Sequence, residues 1–359
     1  MSSPAASRGA NVPDGAEGST EAGLVFVVPP GEPPSGGDLY NRFLLRALRT
    51  EGCRFDSITL ARLRPGAFPP GTEFWVDSLY IRDMEEADPF GPDDRLFFII
   101  HSLPSEDPGL PPSSATMLRM IEDRLFARAS GFLATGPLTR DTLRARRVAG
   151  PILLVPPAPC VLPKGPPRAP AIFTGLIVSS LIRGKGVPDL LDVLGREVRP
   201  SDDFRLRIAG RTDIEPGTAA SCLAAIKAHP LLSKRVVHLG FVPCEELGPE
   251  YERSSALISP SSREGYGMAF HEARVFGLPI LAVRAPYSEP FIEAGQTGFL
   301  FGSAADLAWG VLDLVRKPEE MERLAAAASQ GRPAADRTWA DAARSFLSQR
   351  EACGIFQSV

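Results

Sequence analysis

Short apolar runs alternate along the chain with amphipathic stretches of helical period. Residues 24–28 form a β-rich run, and residues 36–50 follow with Tyr40, Phe43, Leu44 and Leu48 on one helical face. Runs at 74–79 and 96–101 read as strands, 117–129 as an amphipathic helix, and 132–135 and 152–155 as further strands. Such alternation predicts a parallel sheet with helices on both faces. Residues 156–170 then carry seven prolines in fifteen positions, which excludes a helix or a central strand and marks a linker. After it the alternation restarts. Strands are expected at 172–178, 204–209, 236–239, 256–259 and 280–283, and helices at 187–198, 219–228, 245–253 and 267–276.

The pattern predicts an α/β chain of two Rossmann-like, doubly wound parallel-sheet domains facing a cleft. In that arrangement each domain presents the carboxyl ends of its strands to a ligand. The expected division is a disordered tail at 1–23, an N-terminal domain at 24–157, a Pro-rich linker at 158–170, a C-terminal domain at 171–337 and a terminal amphipathic helix at 338–359.

Composition narrows the function. The chain has 359 residues, 44% hydrophobic and 23% charged, with a formal net charge of −4. That balance argues against a dedicated nucleic-acid binder. No basic block stands out, so at most weak peripheral contact with a membrane is expected. No apolar run reaches the ~18 residues of a membrane span. The Ser/Ala/Gly/Pro-rich start lacks the apolar core of a secretory signal. The five cysteines are scattered and form no CxxC pair, and the four histidines show no metal-ligand spacing. Free thiols and a cytoplasmic location follow as expectations, with no metal cofactor.

The candidate chemistry lies in residues 259–272. A short apolar strand is followed by a turn with Gly265 and Gly267, and then by a helix. The glycines let a ligand approach the backbone, and the helix start offers unpaired N–H groups to a phosphate. Glu264 stands just before the helix and Glu272 one to two turns into it. Two carboxylates so separated suit two different hydroxyl-bearing parts of one ligand, a sugar and a ribose.

Glu264 and Glu272, with seven residues between them in the stretch 261–282, resemble the E-x7-E motif of retaining GT-B glycosyltransferases of family 4. The similarity extends over most of the chain. Lys185-Gly186 resembles that family's KG motif, 205–213 its nucleotide-domain strand and glycine turn at Gly210, and 236–261 the stretch leading into the donor loop. Residues 34–52 resemble its Gly-rich first loop and helix, and 99–110 the segment carrying its cleft histidine.

The resemblance implies sugar transfer from a nucleotide-sugar, with a UDP- or GDP-sugar as co-substrate, to an unidentified glycan, glycolipid or small metabolite. It implies Glu264 on the donor-sugar hydroxyls, Glu272 on the ribose, and backbone N–H groups of Gly265, Tyr266, Gly267 and Met268 facing the sugar and diphosphate. Lys185 would neutralise the diphosphate, Gly36 and Gly37 would admit it to the N-domain backbone, and His101 would stand beside the reacting centre. No divalent metal is implied.

The sequence also departs from the family. Ser180 stands where an Arg is frequent, with Arg183 as the substitute; Ser102 replaces a second histidine; and Glu289-Pro290 reverses a usual Pro-Glu pair. These departures leave a nucleotide-sugar-binding partner without turnover as the alternative. A glycoside hydrolase ranks lower, because a phosphate-cradling helix start is useless to its paired carboxylates. A dinucleotide oxidoreductase ranks lower too, because no GxGxxG follows either first strand.

Overall fold

The computed structural model describes residues 23–31, 35–84, 89–106, 110–165, 170–262, 266–333 and 337–355. The expected tail therefore lies almost wholly outside the described residues. Elements of the N-terminal half are β1 (Leu24–Val27), α1 (Gly36–Thr50), β2 (Asp56–Ile58), β3 (Glu73–Asp77), β4 (Arg95–Ile100), α2 (Pro112–Phe126), β5 (Ala129–Ala134), α3 (Pro137–Ala145) and β6 (Ile152–Leu154). Its six strands run parallel in the order β2-β1-β3-β4-β5-β6.

The second half runs β7 (Phe173–Val178), α4 (Val187–Glu197), β8 (Phe204–Ala209), α5 (Pro216–Ala228), α6 (Leu232–Arg235), β9 (Val236–Gly240), α7 (Gly248–Glu252), β10 (Ala256–Ser259), α8 (Met268–Val275), β11 (Ile280–Val283), β12 (Gly298–Phe301), α9 (Ala304–Val315), α10 (Pro318–Gln330) and α11 (Trp339–Ala352). Its sheet is also six-stranded and parallel, in the order β12-β11-β10-β7-β8-β9. Both central strand sets are buried on both faces, as parallel strands covered by helices must be: β1 and β11 are buried along their whole length.

Several boundaries differ from the sequence expectation, each for a local reason. The helix expected at 117–129 starts at Pro112, where the ring occupies the first turn without removing a needed donor. The helix expected at 245–253 is split into a 3₁₀ turn, Cys244–Glu246, and the short α7, whose Gly248-Pro249 start suits a first turn and not a helix interior. Edge strands β2 and β12 were not anticipated. β2 is a three-residue polar strand, too short for alternation to register.

Helix α11 packs on the N-terminal sheet. Thr338 and Asp341 form a capping box at its start. Ala342, Ala343 and Phe346 are buried against Phe26 and Trp75, and the rings of Phe346 and Trp75 meet at 5.0 Å. Arg350 donates from Nε and Nη2 to the two oxygens of Glu73 on β3, both at 2.8 Å. The chain thus returns to its first domain after building the second. Between the domains, α1 contributes Phe43 to a core cluster that includes Phe270 and Ile280, and Phe43 stacks on Trp339 at 5.3 Å.

Candidate functional site

All twelve strands are parallel within their sheets, so loops after the strands gather at one end of each domain. The loop after β1 leads into α1. Ser35 caps α1 reciprocally with Asp38, so the helix start is fixed at Gly36-Gly37. Tyr40 donates its hydroxyl to the Val155 carbonyl at 2.7 Å, pinning α1 to the end of the same domain's last strand.

His101 follows the carboxyl end of β4, and Asp77 ends the adjacent β3. The imidazole Nε2 lies 3.1 Å from Asp77 Oδ2, and the Asp77 side chain is fully buried. Asp77 also accepts from Asn41 Nδ2 and from the Leu79 amide. The His101 amide donates to Ser78 Oγ at 3.2 Å. A methyl carbon added at Gly37 would stand 3.0 Å from the His101 ring, so glycine is what lets α1 close on the imidazole. Gly37 and His101 are therefore brought together.

Across the cleft, α8 starts at Met268 without a side-chain cap, behind Gly267 in the left-handed region at φ +82°. A Cβ at Gly267 would also meet the Phe270 ring at 2.6 Å. The Met268 methyl lies 3.7 Å from where a Gly36 side chain would begin, so the amino ends of α1 and α8 oppose each other between the domains. The uncapped start of α8 carries partial positive charge and unpaired N–H groups, while at α1 the Gly36 and Gly37 amides stand beside the Asp38 carboxylate of the capping box. The Tyr266 ring bridges the domains as well: a Cβ at Gly136, the residue before α3, would meet it at 3.0 Å. Glu264 and Gly265 lie outside the described residues.

Lys185 sits in the turn after β7, and Gly186 behind it is left-handed at φ +70°. A Cβ there would collide with the Pro260 carbonyl at 2.2 Å, so this turn lies directly against the end of β10 that feeds the donor-type loop. Arg183 is placed differently. It is exposed, its amide donates to Glu215, and its side chain lines a groove between α4 and α5 with Asp192, Thr218 and Ser221. Gly210 follows β8, and a Cβ there would collide with the Ser179 carbonyl just beyond β7, so the two post-strand loops pack closely.

Glu272 is enclosed. It is 3% exposed, with Oε1 accepting from the Cys160 amide of the linker at 3.2 Å and Oε2 accepting from the Tyr251 hydroxyl at 2.6 Å. Burial pushes its carboxyl pKa up, against the pull of those hydrogen bonds. Burial and the neighbouring carboxylate hold the Tyr251 phenol well above its ordinary value. A carboxylate has more lone pairs than these bonds use, so Glu272 keeps acceptor capacity.

Sequence reasoning missed the groups that hold this site: Asp77, Asn41, Tyr251 and Cys160. Asp77 and Asn41 had no motif; their only signal is a polar residue where an apolar one fits a buried strand end or helix face. Among the described residues no group of three His, Cys, Asp or Glu could hold a metal, and no helix is long and apolar enough to cross a membrane.

Comparison with known proteins adds a partial family match. Residues 173–331 match the family model of glycosyl transferases group 1. The chain is 24% identical over 147 residues to the alpha-monoglucosyldiacylglycerol synthase of Acholeplasma laidlawii and 25% identical over 172 residues to the D-inositol 3-phosphate glycosyltransferase of Corynebacterium urealyticum. These matches cover 41% and 47% of this chain, and only 36% and 41% of those proteins. A sucrose-phosphate synthase from Thermosynechococcus elongatus superposes with a TM-score of 0.69 at 18% identity, over 93% of this chain and 99% of its own. HepE of Anabaena, solved with UDP and glucose, superposes at 0.67 and 14% identity, over 92% and 99%. At these identities the likeness is one of fold, the two-domain GT-B arrangement.

Proposed function

From the match of residues 173–331 to the glycosyl transferases group 1 model, we propose that the protein is a retaining, metal-independent glycosyltransferase. It moves a sugar from a nucleotide-sugar to a glycan, glycolipid or small metabolite. The observation that carries this reading is the opposition of the amino ends of α1 and α8 across the cleft, Gly36 against Met268. Departure of a nucleoside diphosphate builds negative charge, and preorganised N–H groups and cations stabilise it where it forms. Lys185, held against the end of β10, supplies the cation in this reading. Gly267 and Met268 supply backbone donors.

Glu264 holds the donor-sugar hydroxyls, Glu272 the ribose, and His101, oriented by Asp77, borders the reacting carbon. A UDP-sugar is the first donor to try, because the similar folds include one solved with UDP and glucose. The five free cysteines fit a reducing, cytoplasmic setting. Displacement of Arg183 toward the α4–α5 groove, with Ser180 at the frequent arginine position, favours a second reading: a nucleotide-sugar-binding partner without turnover.

Incubation with UDP- and GDP-sugars separates the two. Transferase action predicts nucleotide release to water or an acceptor mixture, loss of that release in Glu264→Ala, and a released sugar of retained anomeric configuration by proton NMR. Saturable binding with no release supports the partner reading. Unchanged release in Glu264→Ala overturns the site.

A further inference from the structure

The crossing from the second domain back to α11 carries polar atoms that nothing in the described structure satisfies. Arg337 Nε and Nη2, Trp339 Nε1 and His271 Nδ1 are all buried, and none has a hydrogen-bond partner. Buried polar atoms of native proteins are almost always paired, and a desolvated guanidinium edge without an acceptor costs several kcal/mol. Four such atoms in one neighbourhood point to a ligand that supplies acceptors.

Their surroundings define its charge. Arg337 acts electrostatically on Tyr40 of α1, on Tyr266 and on His271 of α8. Arg274, three residues beyond His271 on the same helix face, acts on Tyr266 and His271 too. Among the described residues no carboxylate acts on either of those two groups. Burial and the two guanidiniums keep the imidazole neutral, with its pKa lowered to about 4. The His271 side of this junction is thus cationic, and the nearest opposite charge, Asp77, bears on its Tyr40 side, where it is already bound to His101 and Asn41.

Aromatic rings frame it. Tyr40 has the Trp339 ring at 5.7 Å and the His101 ring at 5.2 Å, both edge-on. The Tyr266 ring is 6.3 Å from His271. The corner therefore lies at the interdomain junction, one tyrosine away from His101 and beside the loop that precedes α8.

We propose that Arg337, Arg274, His271 and Trp339 form a second oxyanion site, beside the donor loop, for the phosphoryl group of a phosphomonoester acceptor. Arg337 Nε and Nη2 form the fork that meets two phosphoryl oxygens, and the indole N–H donates to a further acceptor. Calling the ligand an acceptor rests on the proposed transferase reading; the oxyanion site itself does not.

The test is calorimetric titration of inorganic phosphate, glycerol 3-phosphate and glycerol into protein saturated with UDP, so that the donor region is filled. Wild type, Arg337→Met and Arg337→Lys are compared, with UDP affinity measured in each as the check on folding. The expected result is glycerol 3-phosphate binding tighter than inorganic phosphate, with no glycerol binding. Arg337→Met should weaken the phosphate ester at least about tenfold, as loss of a charge-assisted fork implies, and Arg337→Lys should weaken it less.

Inorganic phosphate binding as tightly as the ester keeps the site and overturns its acceptor assignment. No binding of either phosphate to wild type, or equal binding to Arg337→Met with UDP affinity intact, overturns the site. Failure of UDP to bind any form, with phosphate binding still dependent on Arg337, sinks the transferase reading and leaves the oxyanion site standing.

Discussion

Asp77 and His101 end neighbouring strands and meet through a 3.1 Å contact between a fully buried carboxylate oxygen and Nε2. With the carboxylate on Nε2, the ring is held at one orientation against Gly37. Asp77→Asn weakens that hold, because one amide oxygen cannot serve the Leu79 amide and also the Asn41 and His101 nitrogens that share Asp77 Oδ2. It should lower turnover about tenfold or more with nucleotide affinity unchanged, and cost about 1–3 kcal/mol of stability. Steady-state kinetics beside urea denaturation checks both. Unaltered turnover would show that His101 needs no orienting partner.

Gly267 carries two constraints at once, a left-handed φ and a Phe270 ring 2.6 Å from any Cβ. Gly267→Ala should cost about 1–3 kcal/mol from backbone strain alone. It should also shift the start of α8 and weaken nucleotide binding. A variant with wild-type stability and affinity would remove this turn from the site.

Stability should fall in acid through His271. Its folded pKa is depressed from 6.5 to about 4, first by burial and then by Arg274 and Arg337. Above pH 6.5 the imidazole is neutral in both states. As pH falls toward 4 the unfolded chain takes the proton first, so the folded state loses ground through that window. With partial exposure discounted, the loss is about 1–3 kcal/mol. Urea denaturation from pH 7 to 4 should give a flatter profile in His271→Asn than in wild type; parallel profiles would contradict it.

The return helix should depend on one buried ion pair. Arg350 and Glu73 are 10% and 3% exposed in their side chains and bind through two parallel 2.8 Å bonds. Arg350→Met strands the Glu73 carboxylate, which among the described residues then keeps only the Trp75 indole donor. A loss of about 3–5 kcal/mol is expected, largely recovered in the double variant with Glu73→Gln. A loss below about 1 kcal/mol would show that α11 is held without this pair, by the packing of Phe346 and the bonds of Gln349 to the Leu154 backbone.

Most of the fold was legible in the sequence because parallel strands buried on both faces appear as uninterrupted apolar runs: β10 at Ala256–Ser259 and β11 at Ile280–Val283 match their expected spans. Boundaries slipped where proline sets a helix start, as at Pro112. The site was legible in its backbone features, since Gly37, Gly186 and Gly267 stand where a side chain would collide. It was not legible in its supports. Cys160 is adjacent to Glu272 only because the linker folds over α8, and Asp77 meets His101, 24 positions away in sequence, across a sheet register. Arg337 carried no signal at all, because an arginine before a helix is ordinary until its surroundings are known.

The central claim is that α1 and α8 cradle a nucleotide-sugar between them, and nucleotide binding tests it most directly. Thermal unfolding of the protein with UDP, GDP, ADP and their sugar conjugates, without added metal, is the measurement. One nucleotide should stabilise the fold, by about 2.7 kcal/mol at 100 times its dissociation constant. The shift should shrink in Glu272→Gln, which loses the charged acceptor for the ribose. No shift with any nucleotide in a folded sample, or a shift untouched by Glu272→Gln, would contradict the account.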